Sequence, residues 1–465
     1  MFGSPAGSRN GVGARARTLA TRALTAVLIA VVLPNRALAQ VADSGSTMGG
    51  DLDAIVRRAN ISNPAIRAAE ARASAAQARV GPAATRPDPM LMAGIVNLPF
   101  ASSPVLSDPM TMKMIGVSQT ILYPGKLPLA RHIAELEADG ARAAIDVTRR
   151  DVERSAKQAY YEIAYLDRAI EVTTQTSGVL SDVIRVTEAH YSAGTGAQQD
   201  VLKARVEAAR ASETANMLVE QRRAAVAQLN AVLNEDSAAP VAGAAIPEKV
   251  VRAALARDPA QVRFTAPSLG SPAAGSPLPT IAELQNLAIA HSPVLREHEA
   301  MIAARTAQVE LARKAYKPDI DLSLQYGQRT GRPDMISAQV TVPLKLHRRS
   351  REDQQLAEAN AELMAENAEH EVKVNDIRQE VARLASELER NRTQLALYTK
   401  AILPQGRAAV TAALASYQAG RVDLLTVLDN QNTIFTYETA YYRALTDFAT
   451  NLAKLDQVVG VEVLP

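Results

Sequence analysis

Residues 191–202 (YSAGTGAQQDVL) return in outline as residues 417–428 (YQAGRVDLLTVL), and Tyr, Ala, Gly, Val and Leu coincide at an unbroken offset of 226 (417 − 191). A long segment of helical polar/apolar pattern precedes each copy and another follows it. Two further echoes lie upstream: Asn63-Pro64 against Ser292-Pro293, and Arg86-Pro87-Asp88 against Lys317-Pro318-Asp319. The chain therefore reads as a tandem duplication of about 200 residues per unit, and a long internal repeat constrains architecture before any local motif does. Two helical hairpins, each with a glycine turn, point to a pseudo-symmetric assembly and away from an enzyme cleft.

Residues 1–39 read as a secretory signal peptide. Arg9, Arg15, Arg17 and Arg22 precede an apolar core at 23–33, and Ala37-Leu38-Ala39 gives a small-x-small cleavage pattern. That core is shorter than the roughly 20 residues a transmembrane helix needs. The segment holds five arginines and no acid, so the remainder carries 51 − 5 = 46 basic against 49 acidic residues. Nucleic-acid binding normally shows a basic excess, so this balance argues against it. With no cysteine in the chain, disulfides, thiolate metal sites and a lipidated cysteine are excluded. Beyond the signal no run of 18 apolar residues occurs, so a membrane would have to be crossed by strands.

The first repeat occupies 40–235, beginning with a Gly/Ser-rich leader at 40–50 and helices at 52–60 and from Pro64 to about Val80. Strands are expected at 90–96 and 112–120, joined by a Pro/Ser-rich loop at 97–109. A stretch from Leu129 to about His190 contains no proline, which corresponds to a rod on the order of 90 Å. Its tip lies near Gly194, and 198–234 returns antiparallel to it. Residues 236–279, rich in Ala, Pro, Gly and Ser, read as a linker in an equatorial region with one short helix at 248–256. The second repeat, 280–465, gives helices at 280–290 and 293–316 and strands at 320–326 and 335–343. Its long hairpin has a rod at 348–419 kinked at Pro404 and a tip near Gly420.

The strands carry the membrane argument. Ile320, Leu322, Leu324 and Tyr326 alternate with Asp319, Asp321, Ser323 and Gln325, and Ile336, Ala338, Val340 and Val342 alternate with Ser337, Gln339 and Thr341. Such alternation suits a strand with one lipid-facing and one water-lined side, and equally a half-buried soluble sheet. Four strands cannot close a barrel, and open edges are not tolerated in lipid, so several chains must share one barrel.

With these features in this order, the chain resembles the TolC family of outer-membrane efflux channels over nearly all of its length after the signal. The resemblance rests on the duplicated helix–strand–strand–helix unit and the Asn-Pro and Ser-Pro helix starts. It rests also on Gly116-Val117-Ser118-Gln119 ahead of Tyr-Pro-Gly-Lys, and on two Tyr-x-x-Gly turns with Val-Leu downstream. It implies a mainly α fold with a membrane β-barrel portion: a homotrimer with a 12-stranded β-barrel in outer-membrane lipid and a long α-helical barrel crossing the periplasm. The implied partners are a periplasmic adaptor (membrane fusion) protein and an inner-membrane pump. The glycine turns at Gly194 and Gly420 would form the inner tip. There Tyr417 and Asp200 take the positions that hold the family's tunnel closed, and Asp429, with Asp423 nearby, takes that of the acidic mouth. Thr426 stands where another ring carboxylate occurs, and Val422 replaces a gating arginine, with Arg421 one residue earlier.

Five methionines crowd into 90–114: Met90, Met92, Met110, Met112 and Met114. Thioethers are soft ligands for Cu(I) or Ag(I) and are also flexible fillers. Aligning Met90 with Asp321 and Met114 with Ser337 puts Met90, Met92, Met112 and Met114 on the water-lined face. The six histidines form no paired metal motif, no Gly-rich phosphate loop occurs, and neither a catalytic residue nor a cofactor site is expected. The reading is a passive exit duct in a tripartite efflux or type I secretion system. The competing reading is a periplasmic coiled-coil scaffold or adaptor without a channel.

Overall fold

Each repeat opens on two helices that share a single cap residue. In the computed structural model, which describes residues 51–98, 110–256 and 278–464, helix α1 (Leu52–Ser62) ends and α2 (Pro64–Ala83) begins at Asn63. The Asn63 side chain accepts from Ala65 N at 2.8 Å and donates to Val232 O at 2.8 Å, while Pro64 fills the first helical position, where no backbone donor is required. The second repeat keeps the order with α6 (Ile281–His291), Ser292 and α7 (Pro293–Ala315), again with a proline at the first helical position but without a side-chain cap bond from Ser292, and α6 starts on a Thr280/Glu283 capping box. All described residues lie in one body spanning 47–465. The signal at 1–39, the leader at 40–50, the loop residues 99–109 and the linker residues 257–277 fall outside the described residues.

Strands β1 (Met90–Val96), β2 (Met112–Ile121), β3 (Ile320–Arg329) and β4 (Met335–Thr341) form one antiparallel sheet in the order β1-β2-β3-β4. Three ends differ from expectation, that of β2 by the single residue Ile121. β3 runs past Tyr326 to Arg329, because Gly327, Gln328 and Arg329 still pair with β2 although they carry no apolar signal. β4 stops at Thr341 and does not reach 343, where Pro343 has no N–H to give a ladder. Below the sheet, Gly125 adopts φ +90 and opens α3. Lys126 Nζ reaches the Asp319 carboxylate at 2.8 and 3.0 Å, and Tyr123 N donates to the same group at 2.7 Å. The Tyr-Pro-Gly-Lys and Lys-Pro-Asp motifs of the two repeats are thus bolted to one another.

The first rod, α3 (Lys126–Ser192), is 67 residues long, about 100 Å. Pro128 lies in its first turn, where a missing N–H costs nothing. Helix α4 (Gln198–Leu233) returns along it. The second rod is interrupted: α8 (Glu352–Leu397), a π-turn at Tyr398–Ile402, then α9 (Leu403–Gln418), with α10 (Leu424–Val459) returning. The expected kink at Pro404 is instead this π-turn just before it. Pro404 cannot donate to the carbonyl four residues back, and the ladder adjusts by taking one wider turn.

Two separate apolar cores hold the rods. The larger gathers Tyr160, Ile163 and Leu166 of α3, Leu229 and Leu233 of α4, Leu384, Leu388 and Leu395 of α8, and Phe448, Leu452 and Leu455 of α10. Helix α5 (Glu248–Leu255) docks Val250, Ala253 and Ala254 into it, so the described part of the linker lies fixed on the rods. Each such large side chain buried contributes about 1.5–3 kcal/mol. The smaller core lies at the far end of the hairpins.

Candidate functional site

The two hairpin turns are built alike. Gly194 and Gly420 sit at φ +72 and +67, a left-handed conformation that favours glycine. Gly194 N donates to Tyr191 O at 3.0 Å and Thr195 N to His190 O at 2.9 Å; Gly420 N donates to Tyr417 O at 2.9 Å and Arg421 N to Ser416 O at 2.9 Å. This pair of bonds satisfies the last carbonyls of each rod and reverses the chain sharply. Between the turns lies the smaller core of Leu180, Val183, Ala204, Ala413, Tyr417, Leu424, Val427 and Leu428.

Tyr417 is 5% exposed, and its ring stacks on His190 with centroids 5.4 Å apart and planes 19° from parallel. Burial raises the phenol's pKa, and the nearby Asp200 carboxylate raises it further. Asp200, half-buried in the first turn of α4, faces the positive end of that helix. Its influence on Tyr417 is through its field, since no hydrogen bond joins the two among the described residues. Val422 is packed against the tip core, where it adds an apolar contact, and Arg421 is exposed. His190, which nothing in the sequence singled out, is the side chain that holds the Tyr417 ring. Its contact joins residues 190 and 417, and no local pattern reports it.

Asp423 caps α10, accepting from Thr426 N at 3.0 Å and Thr426 Oγ1 at 2.6 Å. Those two bonds, helped by the charge of Lys203, hold its carboxyl below the usual range. Asp429 is exposed on a groove between α4 and α10 that also includes Leu202, Lys203, Val206, Arg210 and Leu425. The four tip residues therefore divide: Tyr417 and Asp200 come together between the hairpins, while Asp423 and Asp429 lie on the outer surface.

At the opposite end the register sorts the sheet into two faces. Rows such as Met92–Gly116–Gln325–Ser337 and Met90–Ser118–Ser323–Gln339 share one side, because partners across an antiparallel pair point the same way. Met112, Met114 and Met335 lie on this polar face too. Leu91, Ile95, Ile115, Val117, Ile320, Leu322, Leu324, Tyr326, Ile336 and Val340 make the other face, each well exposed in the single chain. Sheets of soluble proteins bury such a face, whereas lipid would cover it. Among the described residues no helix is long and apolar enough to cross a membrane.

The model of the "Outer membrane efflux protein" family matches residues 55–235 and 284–461, the two repeats in turn. No curated protein matches the chain at significant sequence similarity. Among solved structures, the outer-membrane channel OprN is similar at 18% identity and TM-score 0.71, over 89% of this chain and 91% of that one. CusC, described in terms of its folding and transmembrane channel formation, is similar at 15% identity and TM-score 0.72, over 89% and 93%. The outer membrane protein VceC of Vibrio cholerae gives 18% identity and TM-score 0.68, over 89% and 96%. At these identities the structures establish a shared fold: long helical rods below a membrane sheet. Matched over both repeats, this chain belongs to the outer membrane efflux protein family, as an efflux channel of the outer membrane that extends into the periplasm.

Proposed function

We propose that three copies assemble into a continuous passive duct, joined at the tip to a periplasmic adaptor protein and fed by an inner-membrane pump that supplies the energy. What supports this best is an asymmetry between equivalent residues. Tyr417 is 5% exposed but its repeat partner Tyr191 is 49% exposed; Leu428 is 9% exposed but its partner Leu202 is 55% exposed. The second hairpin has its neighbour inside the chain, and the first has an equally apolar flank without one. A ring of copies gives every first hairpin the second hairpin of the next chain, and a closed ring is the usual outcome of such a head-to-tail contact. The sheet makes the same demand, since β1 and β4 are open edges that lipid does not tolerate.

In this reading Tyr417, His190 and Asp200 form the closing contact at the tip, and Asp423 and Asp429 supply negative charge around the mouth. The row of Met90, Met92, Met112 and Met114 lines the water side of the barrel. The α4/α10 groove with its exposed Leu202, Val206 and Leu425 is part of the flank that the next copy covers. Purified from outer membrane in mild detergent, the chain should show the mass of a trimer and conduct ions in planar bilayers. A monomer without conductance would sink the proposal.

A further inference from the structure

The joint between the two repeats is complete inside the chain in one sense only. The second half of repeat one (β2 and the turn that opens α3) meets the first half of repeat two (the end of α7 and β3). Lys126 and Asp319 form the ion pair there, with side chains only 14% and 31% exposed. Lys126 also donates to Lys317 O at 3.0 Å, and a side chain placed on Gly125 would meet Lys314. The reciprocal joint, second half of repeat two against first half of repeat one, is not made among the described residues. Its strands β4 and β1 are the two free edges of the sheet.

The repeat says which residues would make it. Met90 pairs with Ser118 as Asp321 pairs with Thr341, so β1 maps onto β3 by 231 residues (321 − 90) and β2 onto β4 by 223 (341 − 118). Under the same offsets Asp319 maps to Asp88, Lys126 to Arg349, Lys314 to Ala83 and Tyr123 to Leu346. Charge is conserved at both ends of the ion pair. Asp88 and Arg349 are exposed, and among the described residues neither has an ion-pair partner. Beside Asp88 runs an open groove of about 850 Å³ lined by Gly81, Pro82, Ala83, Arg86 and Leu122. In repeat two the wall equivalent to Ala83 and Asp88 is covered by the Tyr-Pro-Gly-Lys turn. The segment that corresponds to that turn begins at Leu346, and Leu346 and Leu344 just before it are each 80% exposed.

We infer that Arg349 of one copy latches onto Asp88 of the next at the base of the barrel. The segment 344–349 lies in the groove beside Asp88, and β4 pairs with β1 of the next copy with Ser337 opposite Val96. The register follows from β2–β3, where Met114 stands opposite Gly327; carried through the two offsets it also sets Gln339 opposite Gly94 and Thr341 opposite Met92. The inference rests on the ring reading above, and it specifies which surfaces and which pairing close the ring.

The chain has no cysteine, so introduced pairs can be read without background. In the full chain isolated from outer membrane, Val96→Cys with Ser337→Cys should give a covalent trimer on oxidation, because directly opposed residues lie within disulfide reach. Gly94→Cys with Ser337→Cys should not. Asp88→Arg and Arg349→Asp should each lower severalfold the share that stays trimeric on mild heating, and the double charge swap should return it to near the native level. Cross-linking through Gly94 in preference to Val96 would overturn the register. A double swap no better than the single variants, or single variants with no effect, would overturn the latch while leaving the trimer standing. An unaltered chain that runs as a monomer would overturn the ring reading itself.

Discussion

Tyr417 owes its position to a flat contact with His190 and to the apolar floor around it, while its hydroxyl has no carboxylate partner at bonding distance. Aromatic pairs of this kind contribute about 0.5–1.5 kcal/mol beyond the area they bury. Removing the ring should therefore loosen the tip more than removing the hydroxyl. Tyr417→Ala combined with Asp200→Ala is expected to raise single-channel conductance in planar bilayers, with Tyr417→Phe close to native. Equal conductance in all three would reduce the tip to ordinary hairpin packing. A second residue with a sharp expectation is Gly460, which ends α10 at φ +84 with its Cα against the His291 carbonyl. A Cβ there would strike that oxygen, and the left-handed backbone alone costs about 1–2 kcal/mol for other residues. Gly460→Ala should lower the melting temperature by several degrees; an unchanged melt would mean that the α6–α7 corner yields freely. The turn glycines were legible because the same tetrad occurs twice, each with its tyrosine. His190 and Gly460 were not, since their reasons lie 227 and 169 residues away (417 − 190; 460 − 291).

Elements were legible where period and punctuation agree. The strand alternation separated the apolar from the polar residues as the register does, because side chains on a pleated strand point to opposite sides in turn. The rods were legible by their length, the first also by the absence of proline from Leu129 to His190. The π-turn at Tyr398–Ile402 was not, because a single proline specifies that a helix must adjust and leaves open on which side. The strand faces allow a direct test. Val340 lies on the apolar face and Gln339 on the polar face. An arginine on the lipid face near mid-membrane costs roughly 2–4 kcal/mol per chain. Val340→Arg should reduce the amount of assembled protein in the outer membrane, and Gln339→Arg should leave it near normal while altering conductance. The reverse pattern would exchange the faces, and equal tolerance would take the sheet out of lipid.

At the scale of the whole molecule, the duplication decides what one chain can complete alone. Each repeat brings a strand pair and a hairpin, and two repeats give one internal joint and two unfinished flanks. The repeat was plain in the sequence. The asymmetry of its burial emerged only when equivalent residues such as Leu202 and Leu428 could be compared in space. One feature of the packing sets how such a molecule comes apart. The large core ends near Leu395, the small tip core begins at Ala413, and the π-turn lies between them. A rod with two cores has two units of local unfolding, and the one with fewer buried side chains opens at lower free energy. Amides at 180–204 and 413–428 should accordingly exchange with deuterium faster than those at 159–169 and 444–455, in a concerted step well below global unfolding. Uniform protection along the rods would make them a single unit. With two, the far end of the hairpins can melt, breathe and re-form while the strands in the membrane stay folded.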